Sequence, residues 1–489
     1  MLRALTLLLA TAIPSTAQAR LPRIFTDSMV LQQQLPITVW GWAAAAEEVT
    51  VSFAGTSRST KADGQGRWRV DLPAMEADGE AHELVVRASN EIRLQDVVLG
   101  EVWLCAGQSN MNRESRVEHG DTAIRMFWID ASVVPQPEDL GGEVAGWTHA
   151  TPSAVAAAKP TLRRGKRVAR DGFAEVGYVF GRRLRAELDV PVGLIKCAFG
   201  GSQVRAWMPD PTLPERVPFG TAAEGKYLGH RPGLLYQSMV HGLVPFSLRG
   251  VLWYQGENDG RSKTYAEDLS AWIASWRELW SRPEMPFYLV QIAPTSYAGG
   301  RMQFIWEAQC EVLRSVEHVG LAVSNDIYLH GKRPVDEVVG EDGRLTGEMR
   351  PSNPHPPNKH IVAERLVNIV LRDTYGVDRG EVHGPMLKSA LVEGDRFLVT
   401  MDHVGEGLRT RDGGAPLWFE VSDGSKDQRR LVFHKAKATI LSKDTLEVRC
   451  ATVTTPKFLR FAWDCIAIHN LVNSEGLPAV AFRTDSADR

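Results

Sequence analysis

Three textures of apolar and polar residues follow one another along this chain. From about residue 22 to 96, short runs alternate the two kinds: Ile37-Thr38-Val39-Trp40, Val49-Thr50-Val51-Ser52-Phe53 and Arg67-Trp68-Arg69-Val70. A period of two puts alternate side chains on opposite faces of a strand, and turn signals such as Ala62-Asp63-Gly64-Gln65-Gly66 separate the runs. The texture returns after about residue 378 in Arg396-Phe397-Leu398-Val399, Leu431-Val432-Phe433 and Lys457-Phe458-Leu459-Arg460-Phe461. Both flanks therefore predict β-sandwich-like regions. The middle differs. Continuous apolar runs at Val97–Cys105, Val192–Phe199, Gly250–Tyr254, Phe287–Ile292 and Leu321–Val323 each end at a polar or glycine-rich turn. Between them lie helical faces: Phe173, Val176, Phe180, Leu184 and Leu188; Tyr265, Leu269, Trp272, Trp276 and Leu279; Ile361, Val362, Leu366, Ile369 and Val370. Apolar strands alternating with amphipathic helices predict a parallel sheet covered on both sides, a three-layer α/β domain over 97–376. Its first βα unit is interrupted by a long insertion at 112–170, and a second insertion occupies 327–350.

Composition narrows the class. At 489 residues the chain exceeds one ordinary domain, and 44% hydrophobic with 24% charged residues is the usage of a globular protein with sizeable cores. A net charge of -3 gives no electrostatic reason to expect nucleic acid or an anionic membrane as partner. At the N-terminus, Arg3, the apolar stretch Ala4 to Ile13 and Ala17-Gln18-Ala19 read as a secretory leader cleaved near Ala19. The apolar run is roughly half of the ~20 residues a membrane span needs. The expected organisation is a leader at 1–19, a β domain at 20–96, the α/β domain at 97–376 and a second β domain at 377–489, in a secreted or periplasmic protein. Cys450 and Cys465 fall in neighbouring predicted strands, which allows one bridge, whereas Cys105, Cys197 and Cys310 read as buried thiols. No cysteine or histidine spacing predicts a metal. Of 14 tryptophans most go to cores, leaving a few flat rings to stack on sugars near a cleft.

In an open α/β sheet, ligands bind outside the carboxyl ends of the strands. There this chain carries Gly107-Gln108-Ser109-Asn110-Met111, then Gly200-Gly201-Ser202, then Gln255-Gly256-Glu257-Asn258-Asp259, and finally His355-Pro356-Pro357-Asn358-Lys359. These are parts for acyl transfer: a serine nucleophile, a histidine base, and amide donors for a tetrahedral oxyanion. Each alone has a plainer reading. A serine after a strand is usually a turn or cap residue, Gly-Gly a tight turn, and a histidine before Pro-Pro a surface group. Their gathering at one end of one predicted sheet favours the catalytic reading.

The blocks also carry a resemblance. Gly107-Gln108-Ser109-Asn110-Met111 resembles the nucleophile block of the sialate O-acetylesterase family within the SGNH hydrolases. Gly250-Val251-Leu252-Trp253-Tyr254-Gln255-Gly256-Glu257 is similar to its third block, and His355-Pro356-Pro357-Asn358-Lys359 to its histidine block. Further similarity covers Met29-Val30-Leu31-Gln32-Gln33, Val39-Trp40-Gly41-Trp42-Ala43 and Asn473-Ser474-Glu475-Gly476-Leu477-Pro478-Ala479, so nearly the whole mature chain is included. The resemblance implies an SGNH, flavodoxin-like sheet domain, Ser109 as nucleophile and His355 as general base. Gly201, preferred over Gly200, would give an oxyanion amide. The third donor is open: Gly256-Glu257-Asn258-Asp259 fits the Gly-x-Asn-Asp of SGNH enzymes and points to Asn258, whereas narrower relatives usually have serine there, which leaves Gln255. The implied substrate is an O-acetylated sugar, a sialic acid first and acetylated xylan or another polysaccharide second, with no metal or organic cofactor. A non-catalytic carbohydrate-binding protein on the same fold is the alternative from another class.

Two departures matter. The family places an aspartate two or three residues before the histidine, where this chain has Asn353 and Ser352. Another acceptor is expected to orient His355 ahead of Asn353, which stays a candidate orienter: a backbone carbonyl first, Asp326 at the end of the fifth strand second, and the acidic loop of Asp336, Glu337, Glu341 and Asp342 third. On that ranking Asn353→Ala costs less than about tenfold. The second departure is Arg205, where relatives commonly carry glutamate; beside the cleft with Trp207 it is either solvated or a fork for a substrate carboxylate.

Overall fold

Strand β1, Glu91–Gly107, begins with alternating exposed residues and ends in eleven consecutive buried ones, as its sequence EIRLQDVVLGEVWLCAG demands. It runs through the position near residue 96 where the texture of the sequence changes. Its first half pairs antiparallel with His82–Arg87, and Val98–Gly100 pairs parallel with Val30–Gln32. Its second half is the centre of the main sheet. The computed structural model containing it describes residues 18–130, 140, 146–158, 161–163, 166–168, 170–211, 228–297, 301–330, 353–356 and 358–485. The leader stretch 1–17, the acidic loop 336–342 and Ser352 lie outside the described residues.

The other central strands are β2, Asp121–Trp128, β3, Val192–Ala198, β4, Gly250–Tyr254, β5, Phe287–Val290, and β6, Val319–Ala322. They lie in the order β2-β3-β1-β4-β5-β6, all parallel, with Thr148–Ala150 added antiparallel outside β2. Residues buried on both faces account for the continuous apolar runs. Val102, Leu104 and Ala106 of β1 join one core with Val251 and Trp253 of β4, whereas Trp103 and Cys105 join the other with Leu252 and Tyr254. After β1 comes a single turn, α1, Ser109–Asn112. Helices α2, Glu175–Leu188, and α5, His360–Asp373, bring Val176, Phe180, Val362 and Leu366 to the second core. Helices α3, Tyr265–Leu279, and α4, Met302–Ser315, bring Leu269, Trp272, Ile305 and Trp306 to the first. Trp253 stacks on Trp272 with centroids 4.1 Å apart, and Trp272 meets Trp276 edge-on at 4.8 Å. Such pairs add about 0.5–1.5 kcal/mol beyond the area they bury.

The 112–170 stretch is not merely an insertion, because it contains β2. Arg125 interrupts the apolar run of that strand, yet it is buried and its guanidinium pairs with Asp96 at 2.8 Å. Lys196 likewise sits inside β3 against Glu114 at 2.6 Å. Met386–Arg483 contains a seven-stranded antiparallel sheet. Its neighbouring loops reach the α/β region, where Arg411 joins Arg365 of α5 on the buried carboxylate of Asp326. All five cysteines are free thiols, Cys450 and Cys465 included. Eleven of the 14 tryptophans are buried, and Trp40, Trp42 and Trp418 are half-buried. Among the described residues, no helix is long and apolar enough to cross a membrane.

Candidate active site

The ends of β1, β3 and β4 and the loop before α5 converge on one place. At the end of β1, Gly107 has φ 138°, and a Cβ there would stand 2.3 Å from the Tyr254 carbonyl oxygen of β4, so only glycine lets the two strands come so close. Ser109 follows as the first helical residue, which leaves its N–H without a partner inside the helix. After β3, Gly201 takes φ 73° with open space where a side chain would point. On the fourth element, Asn353 precedes Pro354 and His355 precedes Pro356; a following proline disfavours helical backbone, so α5 starts only at His360 and His355 stands in the loop.

His355 Nε2 lies 2.7 Å from Ser109 Oγ. Its other ring nitrogen, Nδ1, lies 2.9 Å from Asn353 Oδ1, and the same oxygen accepts the His355 backbone N–H at 3.1 Å. A backbone N–H can only donate, so the amide must turn its oxygen to this side. Nδ1 then carries the proton, and Nε2 is left as the acceptor for the serine hydroxyl. This corrects the expected ranking: the group facing the ring is neither a backbone carbonyl nor Asp326 but the Asn353 amide. The Asp326 carboxylate is held by Arg365 at 2.7 and 2.8 Å, Arg411 at 3.2 Å and His330 at 3.1 Å. Burial works against its charge, but the two arginines and the His330 hydrogen bond outweigh it and hold the carboxyl well below its usual range. Half-burial of His355, with the cations of Lys359 and Arg113 nearby, lowers the imidazole pKa and favours the neutral ring a base requires.

The two candidates for the third oxyanion donor separate. Gln255 is fully buried; its Nε2 donates to Ser202 O at 2.9 Å and Asp259 Oδ2 at 2.5 Å, and its Oε1 accepts from Tyr265 at 3.0 Å. No amide proton remains for a ligand, so Gln255 holds the loop instead. Asn258 is half-buried and donates to Gly201 O at 2.7 Å, with His230 Nε2 at 3.4 Å as its other, weaker contact. It therefore sits on the glycine turn with a proton available. Arg205 is paired with Asp268 at 2.9 Å and with Thr264, and Trp207 is wholly buried with its indole N–H on Ser202 Oγ at 3.0 Å. The short turn Val204–Trp207 folds the Trp207 ring into the core, away from any substrate, whereas Arg205 stays exposed, as its solvated reading has it, with Asp268 as its partner.

Three polar residues of the quoted blocks gain a place that sequence reasoning did not give them. Asn110, Glu257 and Lys359 are buried together behind the Ser109–His355 pair. Burial pushes the Glu257 carboxyl up to about 7, and it lowers the Lys359 ammonium to about 8. Their presence inside three separate apolar-flanked blocks was the available signal.

Residues 99–340 match the family described as carbohydrate esterase, sialic acid-specific acetylesterase. The sialate O-acetylesterase of Pongo abelii is 28% identical over 523 residues, covering 95% of this chain and 93% of that protein. The Homo sapiens sialate O-acetylesterase is 27% identical over 528 residues, with the same coverage. Among solved structures, a carbohydrate acetylesterase from Xanthomonas citri superimposes with a TM-score of 0.76 at 31% identity, covering 96% of this chain and 100% of that one.

Proposed function

This chain belongs to the sialic acid-specific acetylesterase family of carbohydrate esterases and is a carboxylic ester hydrolase, and on that premise we propose that it removes O-acetyl groups from sugars by a Ser109–His355 mechanism. The observation that carries the reading is the 2.7 Å contact between Ser109 Oγ and a histidine whose far nitrogen is already engaged. Ser109 Oγ attacks the acetyl carbonyl carbon as His355 Nε2 takes its proton. The N–H groups of Ser109 and Gly201 and the Asn258 amide receive the oxyanion. His355 then returns the proton to the departing sugar oxygen, leaving acetyl-Ser109. A water molecule activated by the same nitrogen releases acetate. We read the domain as the three-layer SGNH fold over 97–376 between two β regions, and the protein as exported, with its leader removed near Ala19. Periplasmic material beginning at or near Arg20, identified by mass spectrometry after expression in a Gram-negative host, is the expected product; intact cytosolic chain would reject export.

The test of function is acetate release from a panel of O-acetylated sialic acids, acetylated xylo-oligosaccharides and aryl acetates, with sialates expected to lead. A second reading, acetylated polysaccharide as substrate, is favoured by two observations: the Xanthomonas citri relative is described only as a carbohydrate acetylesterase, and Arg205, the cation considered for a sialate carboxylate, is tied to Asp268. Faster release from xylo-oligosaccharides than from any sialate would select it.

Asn353 gives this site a pH signature. A neutral amide fixes the ring without favouring imidazolium, whereas Asn353→Asp would place an anion against it and raise the His355 pKa. Because the base must be neutral, the acid limb of kcat/KM is expected to move to higher pH in Asn353→Asp. An unmoved limb would mean that this side chain does not face the ring in solution.

A further inference from the structure

Behind the catalytic pair, one amide uses both of its donors and its carbonyl oxygen. Asn110 Nδ2 donates to Glu257 Oε1 at 2.5 Å and to Pro354 O at 2.8 Å, while its Oδ1 accepts from Lys359 Nζ at 2.6 Å. Lys359 Nζ also donates to Pro356 O at 3.3 Å. Pro354 and Pro356 are the two neighbours of His355, and Asn110 is the neighbour of Ser109. We propose that Asn110 and Lys359, braced by the buried Glu257 carboxylate, form a clamp that grips the chain on either side of His355 and sets the distance from its imidazole to the Ser109 hydroxyl. Asn110, Lys359 and Glu257 are thus positioning residues. The proposal rests on the reading of Ser109 and His355 as nucleophile and base.

The physical case is one of alternatives. The loop 353–356 is joined to β1 across more than two hundred residues of sequence, prolines remove two of its backbone donors, and its Pro354 and Pro356 carbonyls are held by side chains. Lys359 and Asn110 do this from a buried position, where an unpaired ammonium or amide is expensive and the geometry is correspondingly well determined. Glu257 supplies the compensating acceptor, its second oxygen having no partner among the described residues. Misplacing a base by about 1 Å can cost roughly 10²-fold in rate.

The test compares Lys359→Met and Asn110→Ser with wild type on an aryl acetate, measuring kcat, KM, the pH profile and the thermal transition. Roughly 10²-fold loss of kcat is expected in each with KM little changed, since the contacts set geometry at the reacting atoms and not substrate binding. Lys359→Met has a further readout. Lys359 and Arg113 are the cations that disfavour imidazolium at His355, and Lys359 in turn faces Glu175, Arg113 and Glu257. Removing its charge therefore moves the acid limb of kcat/KM to higher pH, while Asn110→Ser leaves the limb in place. Folded variants with kcat within about threefold of wild type, or a loss confined to KM, would overturn the clamp. If neither variant folds, the contacts serve the fold and the proposal falls. Retention of activity by Ser109→Ala and His355→Ala would sink the catalytic reading itself; loss in those two but not in the clamp variants would sink the clamp alone.

Discussion

Ser109→Ala is expected to lower kcat/KM for 4-nitrophenyl acetate by on the order of 10⁴-fold or more, and His355→Ala by a comparable factor. The two losses should not multiply in the double variant, because a base without a nucleophile, or the reverse, does no chemistry. Structure should survive. Among the described residues the Ser109 side chain hydrogen-bonds only to His355, and the residue is half-buried just after a strand end, so the thermal transition should stay within a few degrees of wild type. More than a few per cent of wild-type activity in Ser109→Ala would place the nucleophile elsewhere.

Asn258→Ala is expected to cost about 10²–10³-fold in kcat, or about 2.7–4 kcal/mol of transition-state stabilisation, with little change in KM. The asymmetry arises because charge on the acetyl oxygen develops only after attack, so the donor matters more to the transition state than to the bound ester. Gln255→Ala should behave differently. It strips partners from Ser202 O, Asp259 and Tyr265 in the interior, so its main effect is on the thermal transition. If Gln255→Ala instead left the transition unchanged and slowed kcat more than Asn258→Ala, the assignment of the two amides would be reversed.

Much of the α/β region was legible because burial on both sides of a parallel sheet writes apolar runs into the chain, and five of the six central strands carry such runs. The sixth, Asp121–Trp128, was hidden by Arg125, whose charge is neutralised by Asp96, a residue twenty-nine positions away that no local pattern announces. Helix Met302–Ser315 was hidden in a similar way, since Gln309 lies on its buried face and donates to the Val290 carbonyl of β5 at 3.1 Å. Ser109, Gly201, Asn258 and His355 were legible as polar punctuation at strand ends. What orients His355 was not, because it depends on which end of an amide faces the ring, and that is decided by a second hydrogen bond to the backbone. Trp207 was misplaced for a related reason: residue type allows a ring beside the cleft, but a tight turn carried it inside, while the neighbouring Arg205 stayed exposed and paired with Asp268.

The long strand Glu91–Gly107 has a bearing on how such proteins can be rearranged by recombination. Exchangeable modules normally meet in exposed linkers crossed by few contacts. Here a crossover near residue 96 would splice the middle of a rod, and whatever new segment arrived would have to continue its pleat, its twist and the in-register partner at Val30–Gln32. A chain starting afresh at Val97 would present Val98–Gly100 as a bare apolar edge, an invitation to intermolecular pairing. The front portion and the turn that carries Ser109 are thus tied to one strand, and exchange of either would have to preserve it.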